Sequence, residues 1–99
     1  VYGRLLRHIQ LEGGLISYNS LLQKTGLDRV QLARYIATLL ERGDVIVAVA
    51  RGGRPGPPRW VVYTDSSQGE AWVRREKEAG ARVRVFQDAE LFLKAKLGR

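Results

Sequence analysis

Apolar residues recur at helical spacing at Leu32, Ile36, Leu39 and Leu40, and the positions between them leave Arg29, Gln31, Arg34 and Thr38 outward. Asp28 stands where a capping side chain belongs and Gly43 where a helix commonly ends, so the pattern predicts one amphipathic helix over residues 29–42. Upstream, Tyr2, Leu5, Leu6 and Ile9 share a helical face that gives out at Gly13-Gly14, with Arg4, Arg7 and His8 on or near its outer side. Leu15-Ile16 is a short apolar segment suited to a small strand. Ser17 or Asn19 can cap a second helix that turns Leu21 and Leu22 inward and stops at Thr25-Gly26. Only Leu27 separates that glycine from Asp28, so the two helices must turn sharply, as in a helix-turn-helix.

Beyond Gly43 the periodicity changes. Val45 to Ala50 is a run rich in β-branched residues and Trp60 to Thr64 is another. The glycine- and proline-rich segment from Arg51 to Arg59 cannot be regular structure, so the pair predicts a hairpin with a long loop that carries Arg51, Arg54 and Arg59 and no acid. Asp65, Ser66 and Ser67 offer helix caps, and Ser67 and Glu70 have capping-box spacing, ahead of a helix running from about Ser67 to Ala79 and stopping at Gly80, with Trp72, Val73, Glu76 and Ala79 on one face. Arg82 to Phe86 alternates as an exposed strand would, and Asp88 can cap a last helix bearing Leu91, Phe92 and Ala95. A nearly continuous helix broken at Gly80 is the alternative for this last part. The fold class expected is α+β, mainly α: three helices and a hairpin over residues 1–65, then an extension over residues 66–99 that is helical or strand-helix.

Ninety-nine residues with 44% hydrophobic content suit one small core and not a second independent one. Charge adds most to this picture. There are 17 basic residues against 10 acidic, a formal net charge of +7, and 13 of the 17 are Arg. Such a surface attracts polyanions, and the planar guanidinium grips phosphate and guanine through paired hydrogen bonds. Heat adaptation, with arginines serving surface ion pairs, is the other explanation of that bias.

Cysteine is absent and there is one His, so disulfides, thiolate metal sites and cysteine nucleophiles are excluded. Metal, cofactor and small-molecule sites are not expected. No nucleophile, base and orienting group can be assembled, and Glu76, Glu78, Asp88 and Glu90 read as helix-surface charges, so an enzyme is not expected. No apolar run approaches the roughly 20 residues needed to span a bilayer and no signal peptide opens the chain, which predicts a cytoplasmic protein without membrane contact.

Helix, short strand, two close-set helices and a hairpin with a basic loop together resemble the winged helix-turn-helix family over roughly residues 1–65. The nearest likeness is from Leu27 to Ile46, with its capping polar residue, the central Arg34-Tyr35 pair and Glu41-Arg42-Gly43 followed by apolar residues. The chain departs from the family's pattern at Val30, where a small polar residue is usual, and at Asp44, where an apolar one is. The resemblance implies that 29–42 is a recognition helix and 51–59 a wing.

On this reading the partner is double-stranded DNA and the protein a transcriptional regulator. Arg29 would meet phosphate at the groove edge, Gln31 and Arg34 would reach base edges, and Thr38 would touch backbone or a thymine methyl. Tyr35 reads as core. Arg51, Arg54 and Arg59 would follow the backbone or enter the minor groove from a flexible tip, and Gly53-Arg54-Pro55 also resembles the core of AT-hook segments. Trp72, Val85, Leu91, Phe92 and Leu97 exceed what so small a core needs and predict the surface of a homodimer; packing back on the first helix is the alternative. A second function, of a different class, is a winged helix used for protein contact inside a larger replication, transcription or membrane-remodelling assembly.

Overall fold

The computed structural model describes residues 1–98, which form five helices and a four-stranded antiparallel sheet. In chain order these are α1 (Tyr2–Leu11), β1 (Leu15–Ser17), α2 (Tyr18–Thr25), α3 (Arg29–Arg42), β2 (Ile46–Arg51), β3 (Arg59–Tyr63), α4 (Ser66–Glu78), β4 (Arg82–Phe86) and α5 (Ala89–Leu97). Strand order is β1-β3-β2-β4, so the hairpin strands are central and β1 and β4 form the two edges.

Side-chain caps start four of the helices. Ser17 caps α2 by accepting from the Ser20 amide, and Asp88 caps α5 by accepting from the Leu91 amide. At α3 Asp28 accepts from the Gln31 amide while the Gln31 side chain accepts from the Asp28 amide, a reciprocal capping box. Of the candidate caps of α4, one is used. Asp65, not Ser67, supplies the cap, accepting from the amides of Ser67 and Gln68. Between α2 and α3 the chain turns through Gly26, and the Tyr18 hydroxyl donates to the Arg29 carbonyl at 2.8 Å, pinning the two helices together across the turn.

The sheet is covered on both faces, which explains the unbroken apolar run of β2. Val47, Val49 and Val62 point into the main core with Leu5, Ile9, Leu21, Leu32, Ile36 and Leu39 of the first three helices. Ala48, Val61 and Tyr63 point the other way, onto Trp72 and Val73 of α4. The last third of the chain is built into this body. Residues 82–86 take the strand form, with β4 pairing antiparallel to β2 so that Val83 lies opposite Ala50 and Arg82 opposite Arg51.

α5 lies along α3 and sends Phe92, fully buried, into the core against Trp60 and Phe86, with ring centroids 5.9 and 6.3 Å away. The expected homodimer surface therefore loses its largest members. Phe92 is core, Trp72 and Leu97 are half-buried against other elements, and only Val85 and Leu91 stay exposed. The buried members pack within the chain, Phe92 and Leu97 of α5 on the main core and Trp72 on the opposite face of the sheet.

Candidate nucleic-acid interface

Helix α3 is held from three sides. Leu32, Ile36, Leu39 and Leu40 face the core, Tyr2 of α1 meets Tyr35 edge-on at 5.4 Å, and α5 packs alongside, where Glu90, Leu93, Lys94 and Leu97 form a cavity that Arg34 borders from the open side. Ala33 and Ala37 are buried on the flank next to Arg34, where small side chains let a neighbouring helix approach. What remains open is a strip bearing Val30, Gln31, Arg34, Thr38, Glu41 and Arg42, about 120° wide at roughly 100° per residue. Arg34 stands near its middle, exposed and with no ion-pair partner among the described residues. The Arg42 guanidinium lies 4.5 Å over the Tyr2 ring, which fixes the cation at the far end of the strip. Tyr35 is half-buried in that aromatic contact, as expected of a core-side residue.

The residues singled out on α3 do not share one face. Arg29 and Arg34 are about 140° apart round the helix, and Arg29 turns toward a cleft shared with Tyr18 and Lys96. Gln31 and Thr38 lie on the strip, but both are engaged within the helix. The Gln31 carbonyl completes the capping box, and the Thr38 hydroxyl donates to the Arg34 carbonyl at 3.3 Å. Arg34 is thus the one candidate base-reading residue whose polar groups are uncommitted.

The hairpin loop corrects the expectation of a flexible basic tip. Glu76, expected on the surface of α4, is buried to 5% exposure and faces two guanidiniums. Arg59 Nε donates to its Oε1 at 2.8 Å and Arg54 donates to its Oε2. Burial opposes the Glu76 charge, but the hydrogen bonds from Arg54 and Arg59 and their positive charges outweigh it and hold the carboxyl below the usual carboxylate range. Arg59 also donates to the Gly52 carbonyl at 2.7 Å, closing the loop on itself.

Gly53 explains why two glycines stand here. Its φ is +75°, and a Cβ would lie 2.8 Å from the Ala81 amide nitrogen and 2.9 Å from the Ala79 carbonyl oxygen, so the loop backbone is seated directly on the turn between α4 and β4. The AT-hook likeness of Gly53-Arg54-Pro55 therefore has no extended arm to act through. Among the described residues only Arg51 of the three hairpin arginines has no carboxylate partner, and it lies exposed beside Arg82 at the sheet end.

Sequence reasoning passed over the residues where these elements meet. Lys96 of α5 inserts between two rings, its Nζ 4.1 Å from the Tyr18 centroid and 4.6 Å from the Trp60 centroid. Desolvation, followed by the charges of Arg29 and Arg51, pushes its pKa down to about 8. Burial likewise pushes the Tyr18 hydroxyl up to about 12. A lysine among surface lysines on a terminal helix gives no sequence signal for this, because the two rings come from elements 36 and 78 residues away in the chain. Among the described residues no group of three His, Asp or Glu side chains gathers that could hold a metal ion, and no helix is long and apolar enough to cross a membrane. Comparison with protein-family models, with curated proteins and with solved structures finds no match to this chain.

Proposed function

We propose that the protein binds double-stranded DNA in the manner of a winged helix-turn-helix domain, with α3 entering the major groove and the hairpin end of the sheet against the adjacent backbone. The observation that carries this reading is the open strip of α3, with an uncommitted arginine, Arg34, at its centre and no apolar residue beyond Val30. The element order through Tyr63, with β1 joining the outer side of β3, supports it as well.

Arg29 lines the same cleft as the hairpin loop, which puts the N-terminal end of α3 and the hairpin end of the sheet on the same side of the molecule. That is the end a recognition helix turns toward base edges, and cations there suit flanking phosphates. Arg34 would read guanine, Arg29 and Arg51 would meet phosphate, and Gln31 and Thr38 would contribute through their remaining hydrogen-bonding capacity. Phosphate contacts would supply most of the affinity. As a regulator the protein would act on duplex sites in pairs, with the exposed Val85 and Leu91 as its remaining apolar contribution to pairing.

The test is selection from a random-sequence duplex library by fluorescence anisotropy, at low and at physiological salt. Enrichment of a motif supports a sequence-reading regulator, and a palindrome with half-sites about one helical turn apart adds two-fold pairing. Binding without enrichment reduces the function to sequence-independent packaging. Absence of binding at physiological salt would sink the reading and leave the protein-contact role in its place.

A further inference from the structure

At the end of the sheet where the hairpin returns, a cleft of about 600 Å3 opens between the loop, the first turns of α2 and α3 and the last turn of α5. That volume lies within the roughly 300–1,000 Å3 usual for small-ligand sites. Four cations line it, Arg29, Arg54, Arg59 and Lys96, and no carboxylate among the described residues does. Glu76, behind the loop, takes up part of the charge of Arg54 and Arg59, leaving a formal excess of three positive charges on this group of side chains. Arg29 and Lys96 have no ion-pair partner among the described residues.

Lys96 is the informative member. Its stem could be replaced by a methionine that packed as well between Tyr18 and Trp60, yet the chain places an ammonium there, partly desolvated and repelled by Arg29 and Arg51. Cation–π contact with two rings offsets only part of that cost. A bound anion would remove both the repulsion and the missing solvation.

The rest of the lining includes apolar rings. Trp72, half-buried, stands beside Pro55, Pro57 and Pro58. Indole and proline surfaces accept a planar ring by stacking.

We propose that this cleft binds a nucleoside phosphate, the phosphoryl group against Arg29 and Lys96 and the base against Trp72 and the proline wall. The same chemistry is offered by a free nucleotide and by an unpaired nucleotide at an end or gap of a nucleic acid. The proposal does not depend on α3 entering a duplex.

The experiment is isothermal titration of the full chain at low salt and pH 7 with thymidine 5′-monophosphate, a 5′-phosphorylated oligothymidylate, a blunt duplex, inorganic phosphate and phosphotyrosine. The nucleotide is expected to bind roughly tenfold more tightly than inorganic phosphate, since stacking adds to the ionic contacts. Lys96→Met and Arg29→Gln are each expected to weaken it roughly tenfold, with the far-UV circular dichroism unchanged. A second readout works in the unaltered protein: side-chain NMR of Lys96 should show its pKa rising from about 8 when the nucleotide saturates the cleft.

Tighter binding of the oligothymidylate than of the mononucleotide upholds the proposal with a nucleic-acid end as the source. Equal binding upholds it with a free nucleotide. Inorganic phosphate or phosphotyrosine binding as tightly as the nucleotide overturns it, as does an unmoved Lys96 pKa or the absence of nucleotide binding. Duplex binding without nucleotide binding overturns the cleft alone, and nucleotide binding without duplex binding upholds the cleft and overturns the duplex reading.

Discussion

Two groups of arginines in this protein have the same chemistry and opposite surroundings. On the strip of α3, Arg34 stands exposed with no acid bonded to it among the described residues. Across the sheet, Arg54 and Arg59 converge on one buried carboxylate and hold the hairpin loop down onto α4. The first arrangement leaves a charge available to a partner, whereas the second spends it inside the fold. A count of 13 arginines does not distinguish them, so a basic composition measures polyanion affinity only after the internal partners are subtracted.

The comparison is most exposed to failure at Glu76. Glu76→Gln keeps the shape but removes the charge that both guanidiniums face, and breaking a buried pair in this way is expected to cost about 3 kcal/mol. A chemical-denaturation curve checks it; a change below about 1 kcal/mol would mean that the loop is held by something else. The same curve tests the backbone side of the junction. Gly53→Ala places a Cβ against the peptide groups of Ala79 and Ala81 at a positive φ, and an expected loss of about 2 kcal/mol follows from strain alone.

On α3 the expectation reverses. Arg34→Ala should leave stability within about 0.5 kcal/mol, because that side chain is exposed and has no ion-pair partner among the described residues. It should weaken duplex binding by about 1–3 kcal/mol and relax sequence preference at the base it reads. Arg54→Ala is the sharpening partner. It should lower the melting temperature while leaving the salt slope of duplex binding nearly unchanged, since its charge is already committed to Glu76. Two variants with matching binding losses and matching melting temperatures would erase the distinction between the two groups.

How far these sites could be read in advance follows from the range of the interactions. The α3 helix, its Asp28 cap and its Gly43 stop are local, set by residues within one helix, and the apolar spacing declared them. The strands of the hairpin were equally plain in their β-branched runs, and Asp88 announced the last helix. The hidden features are those in which distant segments meet. Glu76 reads as one more acid on a charged helix until Arg54 and Arg59, 22 and 17 positions earlier, fold onto it. Phe92 and Trp72 read as surplus apolar surface because nothing in their own segments says that β4 will add to β2 and bring α5 over α3. Gly53 reads as loop freedom, although a close backbone contact is its reason.

The smallest effect bears on the place where the two regions adjoin. Lys96 titrates at about 8 in the fold against 10.5 unfolded, so between those values the unfolded chain holds more protons and stability rises with pH. Below 8 both states carry the charge and the slope from this group vanishes. Tyr18 works in the opposite sense. Its hydroxyl stays protonated to about 12 in the fold against 10.0 unfolded, so above 10 the unfolded chain has lost a proton that the fold retains, and stability falls. Tyr63, also raised by burial, adds to that decline.

Glu76, held below the usual carboxylate range, titrates outside this window. Thermal melts from pH 7 to 11 should therefore pass through a maximum near pH 10. Lys96→Met should abolish the rising limb and raise the melting temperature at pH 7, because it removes an ammonium that the cleft disfavours when empty. A rising limb that survives in that variant would assign the titration to another group and leave Lys96 an ordinary surface lysine.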